Sequence, residues 1–441
     1  MRSHHVPGLS LAIVHKGKTA SAGWGKASLD PPKPCTPDTL FDIASCSKSL
    51  AAASVALLID DDENYPEVQW DAIMSELLPD DFVMAGVGYT ENVTVDDILS
   101  HRTGMPRNLR NLTVAAPLRS KYMYNNLIYT VVSHLVEIKT KKTFRDFLEE
   151  NFFAPLGMGS TSLQPAEARK RGLGDRIGTG GAGLVVSSAK DMIKWVKILL
   201  HCEGPPITGR IFQGLVRLRT ITEPTWRKAK PHTTPAIYAS GLEVHTYWGQ
   251  RVVSHDGSGF GFSGRFFLLP DLGFGAVILG NVEGTEDVQN IVTKELIDEL
   301  LGVPAQERLY LRDFTKKKKS PKSAKAEKSL RPPPQAQKKP EESLDGDASK
   351  ALALRANSRP ISAGGKEMKP EGPKKPPSEP QTAPLNTHTG TYWHPGYHTL
   401  TVAIREGKLL IDAHDRSFGF TIRFEHLGFR KHLKSYMHTF P

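Results

Sequence analysis

A serine hydroxyl and a lysine amine stand three residues apart in the stretch Phe41-Asp42-Ile43-Ala44-Ser45-Cys46-Ser47-Lys48. Leu50, Ala51, Ala52, Ala53, Val55, Ala56, Leu57 and Leu58 follow with neither Gly nor Pro. That pattern predicts a helix whose apolar residues cover most of its circumference. Positions i and i+3 share a helix face, so Lys48 comes within reach of Ser45. The hydroxyl then sits at the positive end of the helix dipole, where developing negative charge is favoured. Burial of the lysine would disfavour its charged form and leave an amine able to take the serine proton. The pattern alone is weak, because Ser187-Ser188-Ala189-Lys190 repeats it before Asp191-Met192-Ile193-Lys194-Trp195. That second occurrence reads as a helix N-cap serine followed by an exposed lysine.

Two further groups add chemistry. Tyr124-Asn125-Asn126 is the one Tyr-x-Asn in the chain and opens a predicted helix running to Ile138. A tyrosine near Lys48 can accept the serine proton and pass it to a leaving group, and the Asn126 amide can hold a substrate carbonyl. His255-Asp256-Gly257-Ser258 closes a predicted strand that starts at Arg251 and leads into another from Gly264. A glycine at 257 lets a ligand approach the strand edge, and the Ser258 N–H can pair with that of Ser45 as an oxyanion hole. Gly259-Phe260-Gly261-Phe262-Ser263-Gly264 matches a dinucleotide fingerprint by letter, but it joins two strands rather than a strand and a helix, so no nucleotide cofactor is expected.

The elements that must position these groups follow from periodicity. Gly8 to Lys18 is a strand ending in a Gly turn, with Thr19 to Trp24 as its returning partner. Thr94-Val95-Asp96-Asp97 is a capping box, and Phe144 to Phe152 and Ala189 to Leu200 are helical. Short strands follow at Gly241 to Thr246, Arg251 to His255, Gly264 to Leu269 and Phe274 to Leu279, then an amphipathic helix from Glu286 to Leu301. Strands at both ends with helices between predict an α+β fold: an antiparallel sheet flanked by helices, with an inserted helical lobe. A small C-terminal β unit, with a hairpin over Leu400 to Ile411, comes after a linker.

Composition narrows the function classes. The 441 residues carry a formal charge of +10. Between Thr315 and Pro384 there are 17 Lys+Arg against 8 Asp+Glu, so nearly all of the excess belongs to one segment. That segment is Pro-rich and without aromatics, the signature of a disordered spacer rather than of a nucleic-acid-binding face. The expected divisions are therefore 1–312, the linker 313–384 and a β-rich unit 385–441. Cys35, Cys46 and Cys202 have no metal-ligand spacing, so no metal is expected. No apolar run is long enough for a membrane span, and the start lacks a signal-peptide pattern, which makes the cytoplasm the expected location. Oligomeric state is not encoded in any pattern here.

Ser-x-x-Lys, then Tyr-x-Asn, then His-x-Gly on a strand, in this order, resemble the serine β-lactamase and penicillin-binding-protein superfamily. The class C-like members, which include esterases, D-aminopeptidases and acyltransferases, look most similar. Val6 to Val14, Asp97 to Pro106 and Gly181 to Ser188 look like that family as well, and the resemblance covers roughly residues 6 to 300. It implies that Ser45 attacks an ester or amide carbonyl, that Lys48 and Tyr124 act as one proton-transfer unit, and that Asn126 positions the acyl group. It also implies an oxyanion hole of the Ser45 and Ser258 amides, with His255 and Gly257 lining the substrate site. Where penicillin-recognising relatives carry Lys-Thr-Gly, this chain has His255-Asp256-Gly257. A histidine mostly uncharged at neutral pH favours an ester or neutral amide over a carboxylate-bearing substrate. Esterase or acyltransferase action is the expectation; a D-amino-acid-type amidase or a catalytically silent binding relative are the alternatives. Beside that family the chain starts almost on the first strand, without the usual preceding helix, and is short between Asp175 and Gly183.

Overall fold

A computed structural model describes residues 1–79, 81–105, 114–163, 180–223, 231–259, 261–282, 284–308, 384–394, 398–412, 421–425 and 434–438. The expected linker therefore lies almost wholly outside the described residues, as does most of the short Asp175 to Gly183 segment.

The chain opens with β1 (Gly8–His15), β2 (Lys18–Leu29) and β3 (Pro32–Pro34), a meander joined by tight turns. Next come β4 (Leu40–Asp42) and, beyond the helical region, β5 (Val186–Ser188), which pair with each other. A small hairpin of β6 (Glu203–Gly204) and β7 (Ile207–Thr208) follows. The remaining strands are β8 (Thr220–Ile221), β9 (Ile237–Tyr238), β10 (Glu243–Tyr247), β11 (Gln250–Gly259), β12 (Phe262–Leu269) and β13 (Phe274–Gly280). These build a nine-stranded antiparallel sheet in the order β3-β2-β1-β13-β12-β11-β10-β9-β8. The N-terminal meander thus joins the C-terminal strands through the β1–β13 pair, in register from Leu9 opposite Gly280 to His15 opposite Phe274. Phe274–Gly280 is buried along its whole length, as a strand covered on both faces must be.

The main core fills one side of the sheet and contains the helix Ser47–Asp60, the helix Asn126–Thr140 and the helix Ala189–His201. The Ser47–Asp60 helix is buried on nearly every side, with Leu50, Val55 and Leu58 each worth about 1.5–3 kcal/mol. Such a helix is stable only when enclosed. On the other side the helix Glu286–Leu300 lays Val288 and Ile297 on Phe267, Leu269, Ala276 and Ile278 in a smaller second core. The expected α+β arrangement is what is observed.

Several boundaries differ from the sequence expectation, among them β2, which runs to Leu29 rather than Trp24. β11 does not stop at His255 but runs through Gly257 and Ser258 to Gly259, because its partner β12 pairs along that whole length, Gly257 opposite Gly264 and Ser258 opposite Ser263. The Phe144 segment is helical to Leu148 and then widens into a π-helical turn over Glu149–Phe153. Tyr124 stands before its helix: Asn125 is the cap, its side chain accepting from the Ile128 N–H at 3.2 Å, and Asn126 is the first helical residue. The capping box at Thr94 and Asp97 is present. At the C-terminus a five-stranded meander runs β14 (Gly390–His394), β15 (His398–Arg405), β16 (Lys408–Asp412), β17 (Thr421–Glu425) and β18 (Lys434–His438), with Val402, Leu409 and Ile411 buried in it.

Candidate active site

Ser45 lies in a single 3₁₀ turn, Ala44–Cys46, that runs directly into the Ser47–Asp60 helix. The turn is pinned on several sides. Asp42 Oδ1 accepts the Ala44 N–H at 2.7 Å, which holds Ala44 at φ +45°, an unusual conformation for a residue with a side chain. The Ile43 N–H donates to the Val185 carbonyl at 3.0 Å, and the Ser47 hydroxyl accepts the Val185 N–H at 3.3 Å. From the other direction β11 presses in. A methyl group on Gly257 would overlap the Ile43 carbonyl and come within 3.0 Å of the Ser45 nitrogen, so no other residue fits at this crossing. The Cys46 thiol donates to the His255 carbonyl at 3.4 Å; burial pushes that thiol far up, and it behaves as a packing residue. Ser258 lies one residue beyond this contact on β11 and is exposed.

Lys48 is 0% exposed. Its Nζ donates to Ser45 Oγ at 3.0 Å, to Asn126 Oδ1 at 2.8 Å and to the Ala182 carbonyl at 2.6 Å. Three acceptors match the three N–H bonds of an ammonium, and the faces of Tyr124 and Tyr129 lie 4.7 and 5.4 Å from it. The Tyr124 hydroxyl and Ser45 Oγ are 2.6 Å apart. Ser45, Lys48, Tyr124 and Asn126 therefore share one hydrogen-bonded cluster. Asn126 spends its carbonyl oxygen on Lys48, which leaves the NH₂ half of the amide as the donor for a substrate.

His255 is 4% exposed, and both ring nitrogens meet protein atoms. Nδ1 lies 2.6 Å from the Asp256 carbonyl, which can only accept, so Nδ1 carries a proton. Nε2 lies 2.9 Å from the Tyr238 hydroxyl. Burial first, and then the Lys48 charge, push this imidazole down to about 4, so it is neutral at physiological pH.

Two residues in this neighbourhood went unnoticed in the sequence. His101, at φ +57° and buried, accepts the Asn125 N–H on Nδ1 at 3.2 Å. Its ring lies 4.3 Å from that of Tyr124 and 4.8 Å from that of Tyr238. Tyr238 sits on a two-residue strand that no periodicity reveals. The Thr94 to Arg102 segment that carries His101 is fixed through Asp97, whose buried carboxylate takes Arg102 Nε at 2.6 Å and Arg119 Nη2 at 2.8 Å. Among the described residues no group of His, Cys, Asp and Glu has the arrangement of a metal site. No helix among them is long and apolar enough to cross a membrane.

The second Ser-x-x-Lys folds as its local pattern suggests. Ser188 accepts the Asp191 N–H as helix cap, and Lys190 pairs with Asp38 at the surface.

The chain as a whole is similar to known proteins. The beta-lactamase family profile matches residues 1–297, and a domain of unknown function (DUF3471) matches residues 374–435. Unguisins hydrolase ungD' of Aspergillus campestris is 32% identical, over 93% of this chain and 77% of its own length. Unguisins hydrolase ungD of Aspergillus violaceofuscus is 29% identical, over 92% and 75%. Among solved structures, the octameric penicillin-binding protein homologue from Pyrococcus abyssi superposes with a TM-score of 0.60 at 17% identity, over 96% of this chain and 87% of that one. A class C beta-lactamase from Rhodobacter sphaeroides superposes at 0.52 with 20% identity, over 66% and 96%. The two structures show the fold, while the profile and the 32% relative carry kinship: the chain belongs to the beta-lactamase family and is a serine hydrolase of that fold.

Proposed function

We propose that Ser45 is the nucleophile of an acyl-enzyme mechanism and that the protein is an esterase or acyltransferase for uncharged small-molecule esters. The observation that carries this reading is the contact of Ser45 Oγ with a fully buried Lys48 at 3.0 Å and with the Tyr124 hydroxyl at 2.6 Å. Oγ attacks the carbonyl carbon while its proton passes to the Tyr124–Lys48 unit in its singly deprotonated form, phenolate beside ammonium or phenol beside amine. The carbonyl π electrons move onto oxygen, where the Ser45 and Ser258 amides stabilise the tetrahedral anion. Collapse expels the alkoxide, which takes the proton from that unit and leaves Ser45 acylated. Water, or an acceptor alcohol or amine, then attacks the acyl-enzyme by the reverse proton path. Asn126 orients the acyl carbonyl through its NH₂ group, and Gly257 allows β11 to approach the turn closely.

The uncharged substrate class rests on His255, a neutral residue where penicillin-recognising relatives hold a lysine. A second reading is favoured by the unguisins hydrolases: the substrate is an unguisin or a related compound, hydrolysed through the same Ser45 acyl-enzyme. Intact mass after incubation with p-nitrophenyl butyrate separates the possibilities. An acyl adduct mapped to Ser45, with a burst of p-nitrophenol that Ser45→Ala lacks, supports the mechanism. Folded protein that acquires no adduct from this ester or from an unguisin would instead be a silent binding relative.

A further inference from the structure

We propose that Tyr238 is a specificity-determining residue: its hydroxyl occupies Nε2 of His255, so the imidazole beside Ser45 is not offered to a carboxylate and the cleft takes acyl groups that carry none. The inference deepens the reading above and rests on it.

Consider every partner of the imidazole. Nδ1–H is spent on the Asp256 carbonyl at 2.6 Å, and Nε2 meets the Tyr238 oxygen at 2.9 Å. No ring nitrogen is left for a ligand. The charged groups around it also favour the uncharged ring. Lys48, on the Ser47–Asp60 helix, repels a second cation. Asp256 belongs to the same strand as His255, but its carboxylate is gripped by Arg265 of β12, with Nε–Oδ1 at 2.6 Å and Nη2–Oδ2 at 2.5 Å. Arg265 donates its remaining arm to Asn290 at 2.8 Å, so the fork stays on Asp256. Tyr238 is itself 0% exposed, and burial pushes its phenol well up, so it remains a hydroxyl able to donate. Its ring packs on His101 at 4.8 Å and on Tyr122 at 5.4 Å, which fixes the direction of its O–H. An anion arriving beside Ser45 therefore meets aromatic rings, a committed imidazole and a Lys48 amine already turned onto Ser45, Asn126 and the Ala182 carbonyl. The burial of an unpaired carboxylate there is costly.

The test uses the full chain and two esters of equal length, p-nitrophenyl hexanoate and the mono-p-nitrophenyl ester of adipic acid, which differ by a terminal carboxylate. For the wild type the ratio of kcat/KM for the adipate to that for the hexanoate is expected to be well below one and flat from pH 5.5 to 8. Tyr238→Phe frees Nε2 and removes a hydrogen bond to the uncharged ring. Burial and Lys48 still hold the free ring uncharged, so Nε2 takes up a proton only together with the bound carboxylate; the ratio should rise about tenfold at pH 5.5, mainly through KM, and less toward pH 8. A ratio in Tyr238→Phe that matches wild type at every pH overturns the proposal. So does a wild-type ratio that climbs as pH falls through 6.5, and this second measurement stands even where the variant does not fold. Absence of any Ser45 adduct with both esters removes the acyl-enzyme reading itself, and the Tyr238 assignment with it.

Discussion

Two Ser-x-x-Lys tetrads lie almost side by side in this molecule, since β4 leads into Ser45 and pairs with β5, which carries Ser187; Phe41 stands directly opposite Ser187. In the first, the lysine is enclosed and turns all three N–H bonds onto Ser45, Asn126 and the Ala182 carbonyl. In the second, Lys190 points to solvent and pairs with Asp38, while Ser187 exchanges a hydrogen bond with Thr161 and Ser188 caps a helix. Spacing is identical and chemistry is not. What differs is what covers the lysine: a buried helix and a tyrosine pair in one case, water in the other. The tetrad becomes a candidate nucleophile only when the surroundings prevent the lysine from reaching solvent.

The strongest way to break the contrast is at the serines. Ser45→Ala should lower ester turnover by on the order of 10⁴-fold or more, whereas Ser187→Ala should leave kcat/KM within about threefold and cost about 1 kcal/mol of stability through its lost hydrogen bond. A steady-state assay beside a urea melt reads both, and a large activity loss in Ser187→Ala would contradict the comparison. Next come the lysines. Lys48→Met should lower kcat by about 10²- to 10⁴-fold, the range of a proton-transfer group, while Lys190→Met should change neither turnover nor melting temperature.

A third prediction concerns the bracing of the His101 segment beside the first tetrad. Burial alone would raise the Asp97 carboxyl, but the Arg119, Thr94 and Arg102 contacts overcome it and hold the group below its usual range. A depressed folded-state value means the contribution is present above the unfolded carboxyl range near 4 and is lost as pH falls through the folded value. Asp97→Asn should therefore cost about 3 kcal/mol at neutral pH, and its stability curve should be flatter than wild type in acid. Equal acid sensitivity in the two proteins would show that Asp97 is not the group concerned. The smallest effect belongs to the helix cap: Ser188→Ala should cost about 1 kcal/mol in a denaturant melt with catalysis intact.

The legible parts of this site are those with a local physical signature. Ser45 and Lys48 follow from the helix repeat and Asn125–Asn126 from a helix start, while the sheet and its flanking helices follow from the change of period between residues 200 and 241. The carbonyl of Ala182 has no such signature, because every residue carries one and only the tertiary fold aims it. Tyr238 and His101 were hidden for a related reason: each acts through a ring packed against residues distant in sequence. Likewise, the extension of β11 through Gly257-Ser258-Gly259 is dictated by pairing with β12, which overrides the low strand preference of glycine.

The β1–β13 pairing also sets the order in which this molecule can be assembled. The strand at Gly8–His15 leaves the ribosome long before its neighbour at Phe274–Gly280, which is synthesised near the end of the beta-lactamase-like region. Closure of so long a loop is entropically slow, and contacts of this range delay folding. Meanwhile the Ser47–Asp60 helix, which the finished fold buries along almost its whole length, has nothing to hide against. A nascent chain halted before residue 280 thus displays a sticky helix and an unpaired strand edge, so the early arrival of the nucleophile makes the unfinished polypeptide a client for chaperones rather than an early enzyme.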